Sequence, residues 1–376
     1  MAVPFEDLRA DFPALRRYVY LNAAAASPTP RPVREAVNAF YRELEEGGDR
    51  QWNDWLDKRE EVRERVAQFV GAGAAEIAFV PHTSAGMNII ADLVAGDGAV
   101  LTDELEFPSV TLPFIHRGAS LHFVPAVEGV VRLEPFGLQD APRAATIAIS
   151  HVQFSNGCRQ DLAAFGALKG PRHLVVCGSQ GLGVLPVDVK GMGIDALASA
   201  GHKWLCAGYG AGFLFVSRSL LEGHPPRSVG WLSVRDPFRF DNAHYELLPD
   251  ARRYELGCPN FAAIFALGAA VDYLVGLGVT AIAERALSLN NVLTDALSRE
   301  GFPVLSPGGA HRSGQTLVEV SDPPRATAYL KDRGILVTEK PQGLRISTHF
   351  YNSEADIEAC VRSLVAYRKG LSPALS

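Results

Sequence analysis

Five stretches of the sequence put reactive or ligand-gripping residue types where the chain turns after an apolar run. His82-Thr83-Ser84-Ala85-Gly86 follows residues 77–80 (IAFV) and opens a helical pattern. Backbone N–H groups at a helix start, with two hydroxyls and a glycine, form a cup for an anion such as a phosphate; the plain alternative is that Thr83 or Ser84 only caps the helix. Gly201-His202-Lys203-Trp204 sits inside LASAGHKWLCAG. An ammonium in apolar surroundings must be paired or give up its proton more readily. A lysine so tuned is a competent amine for a Schiff base, whereas a surface-loop lysine is the bland reading. In Cys177-Gly178-Ser179-Gln180, Gln180 either hydrogen-bonds a ligand or merely ends a strand. Glu106-Phe107-Pro108-Ser109 puts an aromatic ring after another strand, where most such rings are core. Arg345, in the apolar run LRIST, suits bidentate recognition of a carboxylate, or a structural ion pair. Arg159, in SNGCRQDL, is a further candidate polar contact. The order is an anion cup, a ring, a polar strand end, an amine and a carboxylate clamp.

The elements that must position these residues alternate. Residues 77–80, 99–102, 121–125, 146–152, 173–178 and 212–217 read as buried strands, with helical stretches such as 84–94 and 161–168 between them. Such alternation predicts an α/β fold built on a mostly parallel sheet, whose ligands bind at the carboxyl ends of the strands. Upstream, 31–46 and 52–70 read as helices, the second with a charged, solvated face. Beyond residue 260 two long helices, 262–277 and 280–299, precede a strand–helix–strand–strand–helix set at 316–320, 325–333, 335–340, 344–348 and 353–367. This set predicts a second, smaller α+β domain.

Composition narrows the class. The chain has 376 residues, enough for roughly two domains with a core that needs no staples. Lys plus Arg number 36 against 42 for Asp plus Glu, a net charge of −6 that argues against a nucleic-acid partner. Five cysteines, odd in number and scattered, make no disulfide framework and point to a reducing cytoplasm. No uninterrupted apolar run approaches the ~20 residues of a spanning helix, so no membrane partner is expected. No signal peptide and no metal site are expected either.

The chain resembles the class V aminotransferase-like group of pyridoxal phosphate (PLP) enzymes, which includes cysteine desulfurases, kynureninases and isopenicillin N epimerases. The markers are FVPHTSAGMN (79–88), SQGLGVLPVDV (179–189), GHK (201–203), GYGAGFLFV (208–216) and RYELGCPN (253–260), within a likeness running from Tyr20-Leu21-Asn22 to Arg345 and the last helix. The resemblance implies PLP-transferase fold type I. Residues 1–20 would pack on the small domain, 21–260 would form the large PLP-binding domain and 261–376 the small one. Lys203 would carry PLP as a Schiff base, with Thr83 and Ser84 at its phosphate and His202 at phosphate or ring. Gln180 would bond the cofactor's phenolic oxygen, and Phe107 would stack on its ring. Arg345 would receive the α-carboxylate of an amino-acid substrate, with Asn22 and Arg159 as further substrate contacts. The segment around Cys258 would be lent to a partner's phosphate site, implying a homodimer with a shared active site.

Three departures carry information. Where the family has an aspartate facing the pyridine nitrogen, this chain has Cys177, a weak donor. The loop that bears the persulfide-forming cysteine of desulfurases is represented by VTEKPQG (337–343), which has none. The phosphate-site threonine is Cys258, and the serine before His-Lys is Ala200. A weakened electron sink disfavours transamination, which leaves a racemase, epimerase or β-eliminating C–S lyase as the expected activity, with an aminotransferase or kynureninase-like cleavage as the runner-up. A different class of reading, a non-catalytic PLP-fold binding protein, rests on Cys177.

Overall fold

A computed structural model describes residues 5–137 and 144–371; the first four residues of the expected N-terminal segment lie outside them. In chain order a short β1 (Val19–Tyr20) precedes the large sheet and its cover, which run α1 (Arg31–Gly47), α2 (Trp52–Val70), β2 (Ile77–Val80), α3 (Thr83–Val94), β3 (Ala99–Asp103), α4 (Pro108–His116) and β4 (Leu121–Val124). They continue with α5 (Glu134–Gly137), β5 (Ala144–Ser150), α6 (Leu162–Leu168), β6 (His173–Cys177), β7 (Ala196–Ala200), β8 (Gly212–Val216) and α7 (Arg218–Gly223). After a long irregular stretch come α8 (Phe261–Leu277), α9 (Val279–Arg299), β9 (Gln315–Glu319), α10 (Pro323–Lys331), β10 (Ile335–Leu336), β11 (Thr338–Lys340), β12 (Gly343–Ser347) and α11 (Glu354–Leu371). The expected strands and helices are present with ends shifted by a few residues, except that the expected strand 335–340 breaks at Val337 into β10 and β11, which join different sheets.

Seven strands form one sheet in the order β2-β8-β7-β6-β5-β3-β4. β3 to β7 are parallel, and β8 runs antiparallel to both β7 and β2. The alternation of side chains along each strand feeds two cores. Ile147, Ile149, Leu174, Val176 and Leu197 face a layer holding α1, α2 and α8, while Ala148, Val175, Cys177 and Ala198 face α3 and α4. Strands covered on both faces read as continuous apolar runs, the texture the sequence shows. α8 is apolar nearly all round because it is buried nearly all round. No single helix among the described residues is long and apolar enough to cross a membrane.

A third core gathers Leu289, Leu293 and Leu297 of α9, Leu344 and Ile346 of β12, and Ile357 and Leu364 of α11. It underlies the three-stranded antiparallel sheet β11-β12-β9. The N-terminal segment is tied to this part: β1 pairs in parallel with β10, and Arg9 bonds Asp356 at 2.7 Å and the Tyr351 carbonyl at 2.8 Å. Because Leu344 and Ile346 point into the third core, the strand's period of two turns Arg345 and Ser347 the other way. Ser347 Oγ accepts from the Ala24 backbone N–H at 3.2 Å, and the Ala24 carbonyl accepts from Gln180 at 3.0 Å. Residues 21–24 thus bridge the small sheet to the carboxyl end of β6.

Candidate active site

Parallel strands deliver their carboxyl ends to one edge of a sheet, and the candidate residues arrive there together. Phe107 follows β3, Phe154 follows β5, Cys177 ends β6 with Gln180 just beyond it, and Lys203 follows β7. β4 and β5 lie on opposite sides of β3, so a crevice is expected at this edge, where the strand order switches.

Lys203 is enclosed by protein yet reachable by solvent. Burial, opposed by Cys177 and reinforced by the Arg345 charge, pulls its ammonium down to about 8. Its Nζ stands 5.9 Å from the centre of the Phe107 ring, which is 44 % exposed and packs edge-on against Phe154 at 4.9 Å. His202 stacks on Tyr209 with ring centres 4.6 Å apart. Burial and the neighbouring Lys203 and His82 lower its pKa to about 4, so it meets a ligand as a neutral ring. The GHK turn is braced by the SQGLG motif. Gly183 has φ +99°, and a Cβ there would lie 2.3 Å from the Trp204 carbonyl oxygen, so only glycine lets the two loops touch.

Gln180 is oriented by its surroundings. Its Oε1 accepts from the Trp204 indole at 2.8 Å and its Nε2 donates to the Ala24 carbonyl, which leaves one N–H of the amide for a ligand. Cys177 Sγ is 3.5 Å from Ser179 Oγ, which in turn lies 2.5 Å from Thr83 Oγ1. Ser84 Oγ bonds Ser109 Oγ at 2.7 Å. The cap of α3 is neither Thr83 nor Ser84 but His82, whose Nδ1 accepts from the Ala85 N–H at 3.1 Å. Both hydroxyls therefore belong to the first helical turn, beside its free N–H groups.

Arg345 is 4 % exposed, donates from Nη1 to the Phe154 carbonyl at 3.0 Å and leaves Nε without a partner. Burial draws its guanidinium down to about 10. Opposite it in the register is Thr338, whose hydroxyl donates to Asn22 Oδ1, so Asn22 joins this group.

Two expected residues are not gathered with the others. Arg159 is engaged by the Ala310 carbonyl at 2.9 Å and lines a separate cavity with His151 and His311. Cys258 is exposed and lines a cavity of about 370 Å3 between Phe79–Pro81, 210–212 and 254–260, which contains neither Lys203 nor Arg345.

Sequence reasoning missed three features. Lys340 of β11 places its Nζ 4.6 Å over the Phe154 ring, and burial with the Arg345 and Lys203 charges lowers it to about 8. Phe154 connects Lys340, Arg345 and Phe107. At the end of β3 and just before Phe107, Asp103 and Glu106 share a buried pocket in which Gln153 Nε2 donates to both, at 2.9 and 2.8 Å. Burial and the Glu106 charge raise Asp103 to about 9, and burial raises Glu106 as well, so the pair holds a proton. The only early signal for this pair was Glu106 beside Phe107.

The aminotransferase class-V family model matches residues 19–360. A probable cysteine desulfurase of Methanothermobacter thermautotrophicus is 32% identical over 78% of this chain and 76% of its own length. An uncharacterized aminotransferase of Bacillus subtilis is 25% identical over 96% of this chain and 97% of its own. The apo structure of a cysteine desulfurase from Thermococcus onnurineus superposes with a TM-score of 0.90 at 26% identity, covering 99% of both chains. Fold type I and the mostly parallel sheet are thereby established. The chain belongs to the aminotransferase class-V family of pyridoxal-phosphate-dependent enzymes.

Proposed function

We propose that this chain cleaves the bond between Cβ and a sulfur substituent of an α-amino acid, with Lys203 holding PLP and then acting as the base at Cα. The carrying observation is an enclosed lysine amine against the Phe107 ring and a buried arginine on the Phe154 carbonyl, neither paired with a carboxylate among the described residues. These residues fit the cofactor: an amine that loses its proton near neutrality, free N–H groups and hydroxyls at the start of α3, and an amide with one donor to spare. Thr83, Ser84 and the neutral His202 would hold the phosphate, Gln180 the phenolic oxygen and Phe107 the ring, and Cys177 would be the weak donor offered to the pyridine nitrogen. When bound, PLP supplies an electron-withdrawing ring that takes up the charge left at Cα.

The chain's own residues supply the rest. Arg345 grips the α-carboxylate with the donors it does not spend on Phe154, and Asn22 steadies Thr338 opposite it. That grip fixes the Cα–H bond relative to Lys203, whose amine takes the proton, and the Cβ–S electron pair leaves with the sulfur. Phe107 and Phe154, packed edge-on, would form an apolar wall beside the reacting carbon.

No cysteine lies in residues 337–343, four of the five cysteines are buried, and exposed Cys258 lines a cavity without Lys203. This supports release of the sulfur on the departing fragment over capture as an enzyme persulfide. The desulfurase relatives support C–S chemistry, and the intact Lys203–Arg345 pair does not favour a non-catalytic binding protein. The exposed segment around Cys258 supports a homodimer joined near that cavity, and the unpaired cysteines support a cytoplasmic setting. The test is to incubate the PLP-loaded protein with S-substituted L-cysteines in deuterated water. Pyruvate, ammonia and a thiol are expected. Intact substrate carrying deuterium at Cα would replace this reading with an isomerase.

A further inference from the structure

We propose that Lys340 selects substrates bearing a second negative group beyond Cβ, so that the enzyme prefers acidic S-substituted amino acids to neutral ones. The proposal rests on reading Arg345 as the α-carboxylate clamp. Antiparallel β11 and β12 pair Thr338 with Arg345 and Lys340 with Gly343. Thr338, Lys340 and Arg345 therefore share one face of the small sheet, the face turned away from the core that holds Leu344 and Ile346. Across the cleft that face meets two rings. Lys340 Nζ lies 4.6 Å over Phe154, and Lys203 Nζ lies 5.9 Å from Phe107.

Two lysines thus face one pair of packed rings, with Arg345 bonded to the Phe154 carbonyl beside them, and no carboxylate among the described residues forms an ion pair with any of the three. Each is instead pushed toward losing its proton by burial, and Lys203 and Lys340 further by neighbouring positive charge. Like charges gathered without a counter-charge are held at a cost that a ligand's negative charge removes. Lys203 would be taken up by the cofactor, and one α-carboxylate satisfies Arg345. Lys340 remains, charged at neutral pH and facing the same cleft. The expected phosphate cup is at the start of α3 on the large sheet, where Ser84 bonds Ser109 of α4, whereas Lys340 stands on β11 of the small sheet. A carboxylate, sulfinate or sulfonate on the substrate side chain is the charge left to supply.

The test uses the holoenzyme and two unreactive, near-isosteric acids, succinate and succinamate, read by titration calorimetry, with the cofactor absorbance of each preparation recorded first. Succinate should bind about ten- to hundredfold more tightly than succinamate, as expected for one charge-assisted contact. Lys340→Met should erase the difference and Lys340→Arg should keep it. S-carboxymethyl-L-cysteine should likewise exceed its carbamoylmethyl counterpart in kcat/KM only while residue 340 is a cation. Equal binding of the two acids, or a preference that survives Lys340→Met, overturns the proposal. If both acids bind equally and Arg345→Ala weakens both, only the Lys340 assignment fails. If neither binds to the loaded protein, the carboxylate clamp fails with it.

Discussion

Arg63 and Arg345 are both buried, at 1 % and 4 % exposure, yet their donors meet opposite fates. Arg63 of α2 bonds the Ile77 carbonyl at 2.9 Å, Glu60 through Nε and Nη2 at 2.9 and 3.0 Å, and both oxygens of Glu255. Those carboxylates outweigh burial and hold its pKa above the ordinary range. Arg345 has one carbonyl and an orphaned Nε, and burial alone draws its pKa down to about 10. A satisfied buried charge ties elements together. An unsatisfied one, open to a cleft, is kept for a ligand.

Arg63→Ala leaves two carboxylates in a largely buried site and should cost ~3–5 kcal/mol of stability, measured from urea midpoints. A loss near zero would mean that pairing is not what distinguishes the two arginines. Arg345→Ala should show the reverse pattern. It should lower kcat/KM by about 2–5 kcal/mol in transition-state terms while the urea midpoint holds or rises, since only one hydrogen bond is lost. A fall in stability with unchanged turnover would make Arg345 a second Arg63.

A smaller effect sharpens the same contrast in the cofactor-free protein. Lys203 and Lys340 titrate near 8 when folded, against 10.5 when unfolded. Between those values the unfolded chain binds more protons, so stability should rise with pH from about 8 to 10.5. Lys203→Met should remove part of that rise. Asp103 has the opposite sign: its folded value near 9 lies above the unfolded 3.8, so its contribution is full below pH 3.8 and is lost as pH climbs toward 9. Asp103→Asn should flatten that lower limb. Urea midpoints across pH check both, and a profile indifferent to either substitution would contradict the assignments.

What the sequence revealed and what it hid divide along a physical line. β5 to β8 are buried on both faces, so their apolar runs stand out, and the motifs after them inherit their position. Arg345 was legible because a cation interrupts an apolar strand. Lys340 was not, because β11 is three residues long and the face it shares with Arg345 is set by register across a turn. Phe154 and the Asp103–Glu106 pair depend on β3 and β5 lying side by side, a pairing between segments more than forty residues apart. The His82 cap was hidden because serine and threonine, the usual caps, stand directly beside it.

Two lysines titrating near 8 face the same pair of rings, and the account assigns the cofactor to one and the substrate's side chain to the other. Borohydride reduction of the PLP-loaded protein, followed by peptide mapping, separates them directly. The pyridoxyl group is expected on Lys203 alone, with Lys340 recovered unmodified. A label on Lys340, or on any other lysine, would contradict it.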